Sequence, residues 1–311
     1  MLANWQVHAI LILGLGAVGA VVGSFLNVCI YRLPWQKSVI WPASHCPRCW
    51  SAIAPCDNIP VVSWLALRGE CRRCGLPIAA RYPLIELLVG LLFAAVYVSN
   101  VVFGREIPWG ALPTAIPVGL AYHLVLVALL VVATFIDYDL FIIPDGVTVP
   151  GMVVGLSVAT LFPEIRPVPS AASTHWDGFW VGLIGLLVGG GLTQSVRLLA
   201  SAVMRREAMG FGDVTLMAMI GAFLGWQVAV LTFFLAPFFG LSHALWKLLK
   251  FLGKWLAGQK ISSADRELPF GPYLSMAALA LLLSWPWLWP WWAKRMFADL
   301  RGLFLGVIDV V

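Results

Sequence analysis

The chain has 311 residues, of which 61% are hydrophobic and only 11% charged, and it carries 16 tryptophans. A soluble globule has about 25% charged residues, so this composition excludes one. The net charge of +5 is the ordinary cationic excess of a membrane protein's inner loops and implies no nucleic-acid partner.

Runs of about 20 apolar residues cross a bilayer as helices. Eight candidate runs follow one another at 8–31, 84–103, 118–137, 145–162, 178–200, 213–226, 227–247 and 270–292. The expected fold is an all-α polytopic membrane protein of about eight transmembrane helices. The first run is not a cleavable signal, because no Lys or Arg precedes Arg32 and signal peptides open on a basic segment. The basic residues after it place its C-terminal end in the cytoplasm. Eight crossings then put 32–83, 138–144, 201–212 and 248–269 inside. Of the 20 Lys and Arg, counting Arg197 and Lys247 at helix ends, only Arg105, Arg166, Lys294, Arg295 and Arg301 fall elsewhere. On this reading residues 1–31 are a first helix, 32–83 a cytoplasmic zinc-binding loop domain, 84–293 a membrane core, and 294–311 an interfacial tail. The sixth run is short; it is expected to begin nearer Gly210 or to lie among its neighbours.

Within the long inner loop, Cys46-Pro47-Arg48-Cys49 and Cys71-Arg72-Arg73-Cys74 form two CxxC pairs 21 residues apart. Paired knuckles at that spacing suit tetrahedral zinc on four thiolates, which replace the core that so small a domain lacks. A reducing cytoplasm disfavours disulfides here. Four sulfurs leave no open position for water, so the zinc is structural; a redox or merely structural thiol cluster is the alternative. Cys29 reads as a packing residue, Cys56 is not a fifth ligand, and His45 is a weaker competitor than the four thiols.

Two carboxylates stand at the inner edges of apolar runs. Asp137 lies in Phe135-Ile136-Asp137-Tyr138-Asp139, and Asp213 closes Met209-Gly210-Phe211-Gly212-Asp213. An ionisable group near hydrocarbon costs about 2.5–3.5 kcal/mol on insertion scales and is rarely there without a use. Two carboxylates within reach of each other cannot both ionise easily and share a proton. One then takes a proton from water while the other hydrogen-bonds a scissile carbonyl, which points to an aspartyl protease working in the membrane. Gly210 and Gly212 allow close approach of a substrate strand and a sharp turn into the helix. The bland alternatives are an N-cap role for Asp213 and an interfacial charge at Asp137. Asp139 and Asp145 read as interfacial charges, Asp145 also as N-cap of the fourth run.

His123, in mid-run, has no partner identifiable from sequence. Glu86, inside the second run, needs one such as Arg81 or a neighbouring helix, and function and structural pairing stand level for it. Trp285-Pro286-Trp287-Leu288-Trp289-Pro290-Trp291-Trp292 reads as an interfacial aromatic anchor.

These motifs resemble, in order, those of the type IV prepilin peptidases, a GxGD family of aspartic membrane proteases. The resemblance runs nearly the whole length. It takes in Gly23-Ser24-Phe25-Leu26-Asn27-Val28 through Pro34, both CxxC pairs, Asp57-Asn58-Ile59-Pro60 and Ser63-Trp64-Leu65. Arg81-Tyr82-Pro83-Leu84-Ile85-Glu86, the two aspartate motifs and Pro269-Phe270-Gly271-Pro272 complete it. It implies a multi-pass enzyme of the bacterial inner membrane that cuts the short basic leader from prepilins or pseudopilins at the cytoplasmic face. In the bifunctional form, which the cysteine-bearing loop marks, it implies N-methylation of the new terminus with S-adenosylmethionine. Asp137 and Asp213 match the catalytic pair, with Asp139 the local rival of Asp137; methyl-donor contacts are confined to the neighbourhood of Glu86 and Gly90. Thr215 departs from the pattern, which commonly has Lys there. So does Cys56, where an aromatic residue is more usual. The rival reading is a zinc-stabilised membrane scaffold or transporter using the acids as ion or proton sites, but no pair of matching halves supports it. A second rival keeps the methyltransferase and loses the peptidase.

Overall fold

The computed structural model of the chain describes residues 2–103, 115–165, 174–207, 209–256, 269–293 and 295–296. The expected tail at 294–311 falls almost wholly outside them, as do Arg105, Arg166 and Arg301. Among the described residues there is no strand. The helices are α1 (Leu2–Arg32), α2 (Val62–Ala66), α3 (Arg81–Tyr97), α4 (Ala115–Leu140), α5 (Asp145–Leu161), α6 (His175–Met204), α7 (Phe211–Leu224), α8 (Trp226–Leu256) and α9 (Gly271–Leu288). Each of the eight apolar runs forms one of them; α2 belongs to the cysteine-bearing segment. Six helices, α1, α3, α4, α6, α8 and α9, are long and apolar enough to cross a membrane, whereas α5 and α7 are shorter.

The shortest of the eight is the most enclosed. At about 1.5 Å per residue, α7 is roughly 21 Å long against a hydrocarbon core of about 30 Å. It compensates by lying among other helices: all of it is buried except Phe211, Gly212 and Thr215. It begins at Phe211 with Gly210 as N-cap, and Gly225, at φ 86°, turns the chain directly into α8. Helix α6 packs along it, and a Cβ at Gly185 or Gly221 would collide with the other's carbonyl, so backbone meets backbone there.

Around α7 stand α4, α5, α6, α8 and α9, while α1 and α3 form a tightly packed pair joined to the rest through α4 and, at the end of α3, through α9. Leu126, Leu130, Ile136, Leu216, Phe223 and Trp285 are fully buried at the centre. Trp285 thus corrects the reading of the tryptophan cluster. It belongs to the core, stacked on Trp289, and among the cluster's described side chains Trp287 and Trp291 are exposed as membrane anchors would be. The large exposed side chains of α1, Ile10, Leu13 and Val18 among them, make an apolar outer face suited to lipid.

Two further expectations change. His123 has a partner, the Asn100 side-chain amide, which donates to its Nδ1 at 2.6 Å from the π-helical turn Val98–Phe103 that ends α3. Asp145 is not an N-cap: Pro144 holds that position and Asp145 is the first helical residue, with no side-chain capping bond. A proline at this boundary costs nothing, since its missing N–H would have no intrahelical acceptor.

Candidate active site

The sequence after Ala133 carries α4 to Leu140, where Phe141 adopts a left-handed conformation (φ 56°) and donates its N–H to Asp137 O at 2.9 Å. That turn ends the helix and sends Ile142-Ile143-Pro144 back into α5. Asp137, one turn from the helix end, points inward and is 6% exposed; Asp213, in the first turn of α7, is 7% exposed. The two carboxylates lie within electrostatic range of each other.

Each is also held by a helix start. Gly271, first residue of α9, donates its backbone N–H to Asp137 Oδ2 at 3.0 Å. The backbone of Gly210, N-cap of α7, donates to Asp213. The first N–H groups of a helix have no partner inside it and carry the positive end of the helix dipole. Two such ends converge on one pair of acids, which stabilises negative charge there.

Ile143 fastens these pieces together. A Cβ on Gly212 would lie 2.8 Å from the Ile143 Cβ, and one on Gly271 would lie 2.9 Å from its Cδ1 and 2.7 Å from Asp137 Oδ2. Both glycines are therefore required by approach of the Ile143 loop, and at Gly212 the close neighbour is this chain itself. Gly210 is open, with nothing nearer its side-chain position than 3.9 Å. Sequence reasoning gave Gly271 and Ile143 no role in the site; the Phe-Gly-Pro helix start at 270–272 was the signal for Gly271. Thr215 donates to Gly212 O at 3.0 Å and accepts from the Thr148 hydroxyl at 3.2 Å, tying the first turn of α7 to α5 with neutral groups.

Asp139, the rival of Asp137, faces the other way. Arg81 grips it through two hydrogen bonds of 2.8 and 2.6 Å and lies over the Phe135 ring. Arg81 is therefore not the partner of Glu86. Glu86 Oε2 instead accepts the backbone N–H of Val61 at 2.7 Å. Val61 sits at φ 62°, ψ −50°, a conformation a β-branched residue adopts at a cost of about 1–3 kcal/mol unless its surroundings hold it. Gly90, one turn along α3, packs against the backbone of Gly16 in α1.

The four cysteines come together as expected. Their sulfur atoms lie within 4.8 Å of one another, with Cys46–Cys74 and Cys49–Cys71 both at 4.0 Å. Four sulfurs at about 2.3 Å from a tetrahedral zinc stand about 3.8 Å apart, so the donor set fits that ion. The knuckles repeat one another. Cys46 and Cys71 donate to Ser51 O and Leu76 O and accept from Trp50 and Gly75, which both take positive φ. Hydrogen bonds from the Ser51 side chain and backbone hold the Cys49 thiol down at about 6. Backbone N–H groups of Cys74 and Arg73 lower that of Cys71. Nearby, Arg72 grips Asp57 through bonds of 2.8 and 2.6 Å and holds its carboxyl below the usual range. His45 stacks on Trp50 with its Nδ1 at Ala43 O, and Cys56 faces Asp57.

Between the inner half of α1, the start of α3 and this segment lies a cavity of about 320 Å³. Its walls include Tyr31, Asp57, Val61, Trp64 and Glu86. Asp57 is paired with Arg72, which also lines the space, so the Glu86 carboxylate and the aromatic faces are what suit a ligand that is cationic at one end and a flat base at the other.

Residues 17–100 match the family described as the bacterial peptidase A24 N-terminal domain, and residues 124–245 match the type IV leader peptidase family. The chain is 36% identical to a prepilin leader peptidase/N-methyltransferase of Myxococcus xanthus (strain DK1622), over 93% of this chain and 94% of that one. Proteins of the same name from Aeromonas hydrophila and Pseudomonas putida are 35% and 33% identical. They cover 84% and 91% of this chain and 87% and 91% of their own. No solved structure matches. Scaffold and transporter readings lose their footing against relatives that share enzyme names over nearly the whole length. The ordered motifs, the helical core that brings Asp137 to Asp213, and these similarities agree: the chain belongs to the type IV leader peptidase family.

Proposed function

We propose that this protein is an intramembrane aspartic endopeptidase that removes the leader of prepilins or pseudopilins, and that it N-methylates the terminus so exposed. The observation that carries the first activity is the pairing of two almost fully buried carboxylates, Asp137 and Asp213, each backed by the start of a helix. In cleavage one carboxylate, ionised, takes a proton from water as the water oxygen bonds to the scissile carbonyl carbon. The other, protonated, donates a hydrogen bond to the carbonyl oxygen. The C–N bond then breaks and the leaving amine receives a proton. A bond inside a regular helix is shielded, so the substrate unwinds locally at the cut; Gly210, open at the mouth of α7, is where an extended strand meets the enzyme backbone.

The second activity is referred to the cavity beside the cysteine segment. S-Adenosylmethionine supplies, when bound, a methyl group on a cationic sulfur. Glu86 supplies the anionic pole, fixed by the Val61 N–H, and Trp64 and Tyr31 supply flat faces. Gly90 serves indirectly, by letting α1 close on α3 to form the wall. Zinc on Cys46, Cys49, Cys71 and Cys74 holds the segment that roofs this cavity.

The Arg81–Asp139 pair sets the cysteine segment and the aspartate-bearing end of α4 on one side of the protein, the side rich in Arg and Lys. By the positive-inside tendency that side is cytoplasmic, in the bacterial inner membrane. The decisive experiment is cleavage of a purified prepilin in detergent by wild-type protein and by Asp213→Asn. Loss in the variant, with helix and zinc content unchanged, is the expected result. Equal cleavage by both removes Asp213 from catalysis.

A further inference from the structure

The segment that delivers the chain into α7 is gripped from α6. Arg197, two turns before the end of that helix, donates its Nε–H to Met209 O at 3.0 Å, and its side chain is 20% exposed. The guanidinium also lies over the Phe211 ring, 5.8 Å from its centroid, and a terminal nitrogen reaches Glu207 Oε1 at 3.4 Å. The Glu207 side chain is 86% exposed, so that ion pair contributes little. The bonds to Met209 and the contact with Phe211 bracket Gly210.

Met209 O belongs to the peptide unit that joins Met209 to Gly210. The N–H of the same unit is the one that donates to Asp213. Helix capping explains that bond: Gly210 is the N-cap, Asp213 the third helical residue, and an acid in that place reaches back to the N-cap N–H. Asp213 Oδ2 accordingly stands 3.9 Å from the position a Gly210 Cβ would take. A peptide unit is planar, with its C=O and N–H on opposite sides. Arg197 and Asp213 are thus bonded to the two ends of one rigid dipole. A cation at the oxygen polarises the unit and strengthens the N–H as a donor. Residues 209–224 contain no Lys or Arg, and the Thr215 hydroxyl, in the same turn as Asp213, is neutral and bonded to Gly212 O.

We propose that Arg197 is a positioning residue of the peptidase: through the Met209–Gly210 peptide unit it fixes Asp213 and favours the single negative charge carried by the aspartate pair. The inference rests on the peptidase reading above. A nearby cation eases loss of the pair's first proton and opposes protonation afterwards. Without it the pair ionises at higher pH, so both limbs of a bell-shaped cleavage profile move upward. The other titratable groups that bear on this are Asp137, facing Asp213 from α4, Tyr273, within electrostatic range of Asp137 from α9, and Glu207, facing Arg197.

The test is the initial rate of prepilin cleavage against pH, with full-length protein in detergent, for wild type, Arg197→Gln and Arg197→Lys. Gln still donates to Met209 O but is neutral; Lys keeps the charge and one donor. Arg197→Gln is expected to move both limbs up by about half to one pH unit and to lower kcat on the acid side about three- to tenfold, with KM within about twofold. Arg197→Lys is expected to return the limbs to the wild-type position at a lower rate. Circular dichroism is expected to be the same for all three. A Gln profile that coincides with wild type overturns the proposal. Equal falls at every pH in both variants, with the limbs unmoved, show a structural tie alone and overturn it too. Should Arg197→Gln lose its fold, Arg197→Met takes its place under the same criteria, and loss of fold in both while Arg197→Lys folds assigns Arg197 to the scaffold and overturns it. Absence of cleavage by wild type, or equal cleavage by Asp213→Asn, brings down the peptidase reading itself, a separate outcome from an active wild type whose limbs ignore Arg197.

Discussion

Asp137 and Asp139 are two residues apart in sequence and belong to different environments. Asp137 turns into the bundle toward Asp213 and the start of α9, while Asp139 turns out to Arg81 at the surface. Asp137→Asn is expected to lower cleavage about 10²–10⁴-fold, the usual worth of a positioned acid or base. Asp139→Asn removes a partly exposed ion pair worth about 0.2–1 kcal/mol and is expected to change cleavage by less than about fivefold. Parallel initial-rate assays on the two variants check this, and equal losses refute the assignment. Gly271→Ala tests the backing of Asp137. Its methyl would press on Asp137 Oδ2 at 2.7 Å and Ile143 Cδ1 at 2.9 Å. Overpacking of this kind costs about 1–3 kcal/mol of stability; where the same strain falls on the Asp137 geometry in the transition state, kcat is expected to fall about 5- to 150-fold with the helical content retained.

At the scale of elements, the four sulfurs of the cysteine segment lie close enough together to hold a metal ion, and the proposed zinc would fasten that segment. Zinc binds thiolates, so protons compete with it and occupancy falls as pH falls, at a midpoint set by all four thiols and the metal affinity together. Cys49 is held down at about 6 before any metal arrives while Cys74 is pushed up to about 11, so zinc is expected to leave on acidification. Ser51→Ala removes the side-chain hydrogen bond that does most to depress the Cys49 thiol and lets it rise toward its ordinary 9.0. The midpoint of zinc release, followed with a colorimetric chelator, is then expected to move to higher pH. Removing the metal at pH 7 is expected to open residues 32–80 to protease while circular dichroism of the membrane helices is unchanged, because α1 and α3 pack on each other directly.

Across the whole molecule the two proposed activities occupy different places, one between α4, α7 and α9, the other between α1, α3 and the cysteine segment. Methylation follows cleavage on the natural substrate, so only a substrate already lacking its leader separates them. On such a substrate Asp213→Asn is expected to methylate at the wild-type rate. Glu86→Gln is expected to cleave normally and to lose methylation and S-adenosylhomocysteine affinity together, read by calorimetry. Loss of both activities in both variants shows instead that the sites are coupled.

Hydrophobic run length by itself determined the helices, because a bilayer-spanning segment satisfies its backbone internally and leaves few alternatives. The CxxC spacing likewise determined the thiol tetrad, since two local knuckles need only one meeting to complete a tetrahedron. The short sixth run already carried the sign of its burial. Tertiary structure alone decided the rest. Which way Asp137 and Asp139 point depends on the last turn of α4 and on Arg81, 58 residues away from Asp139. That Gly271 backs Asp137 depends on a contact 134 residues apart. Glu86 met a strained loop amide at Val61, and His123 met Asn100, because buried polar groups take whichever donor the packing brings within reach. Local pattern fixes periodicity and length; partners across the bundle follow from how helices pack, which no single run encodes.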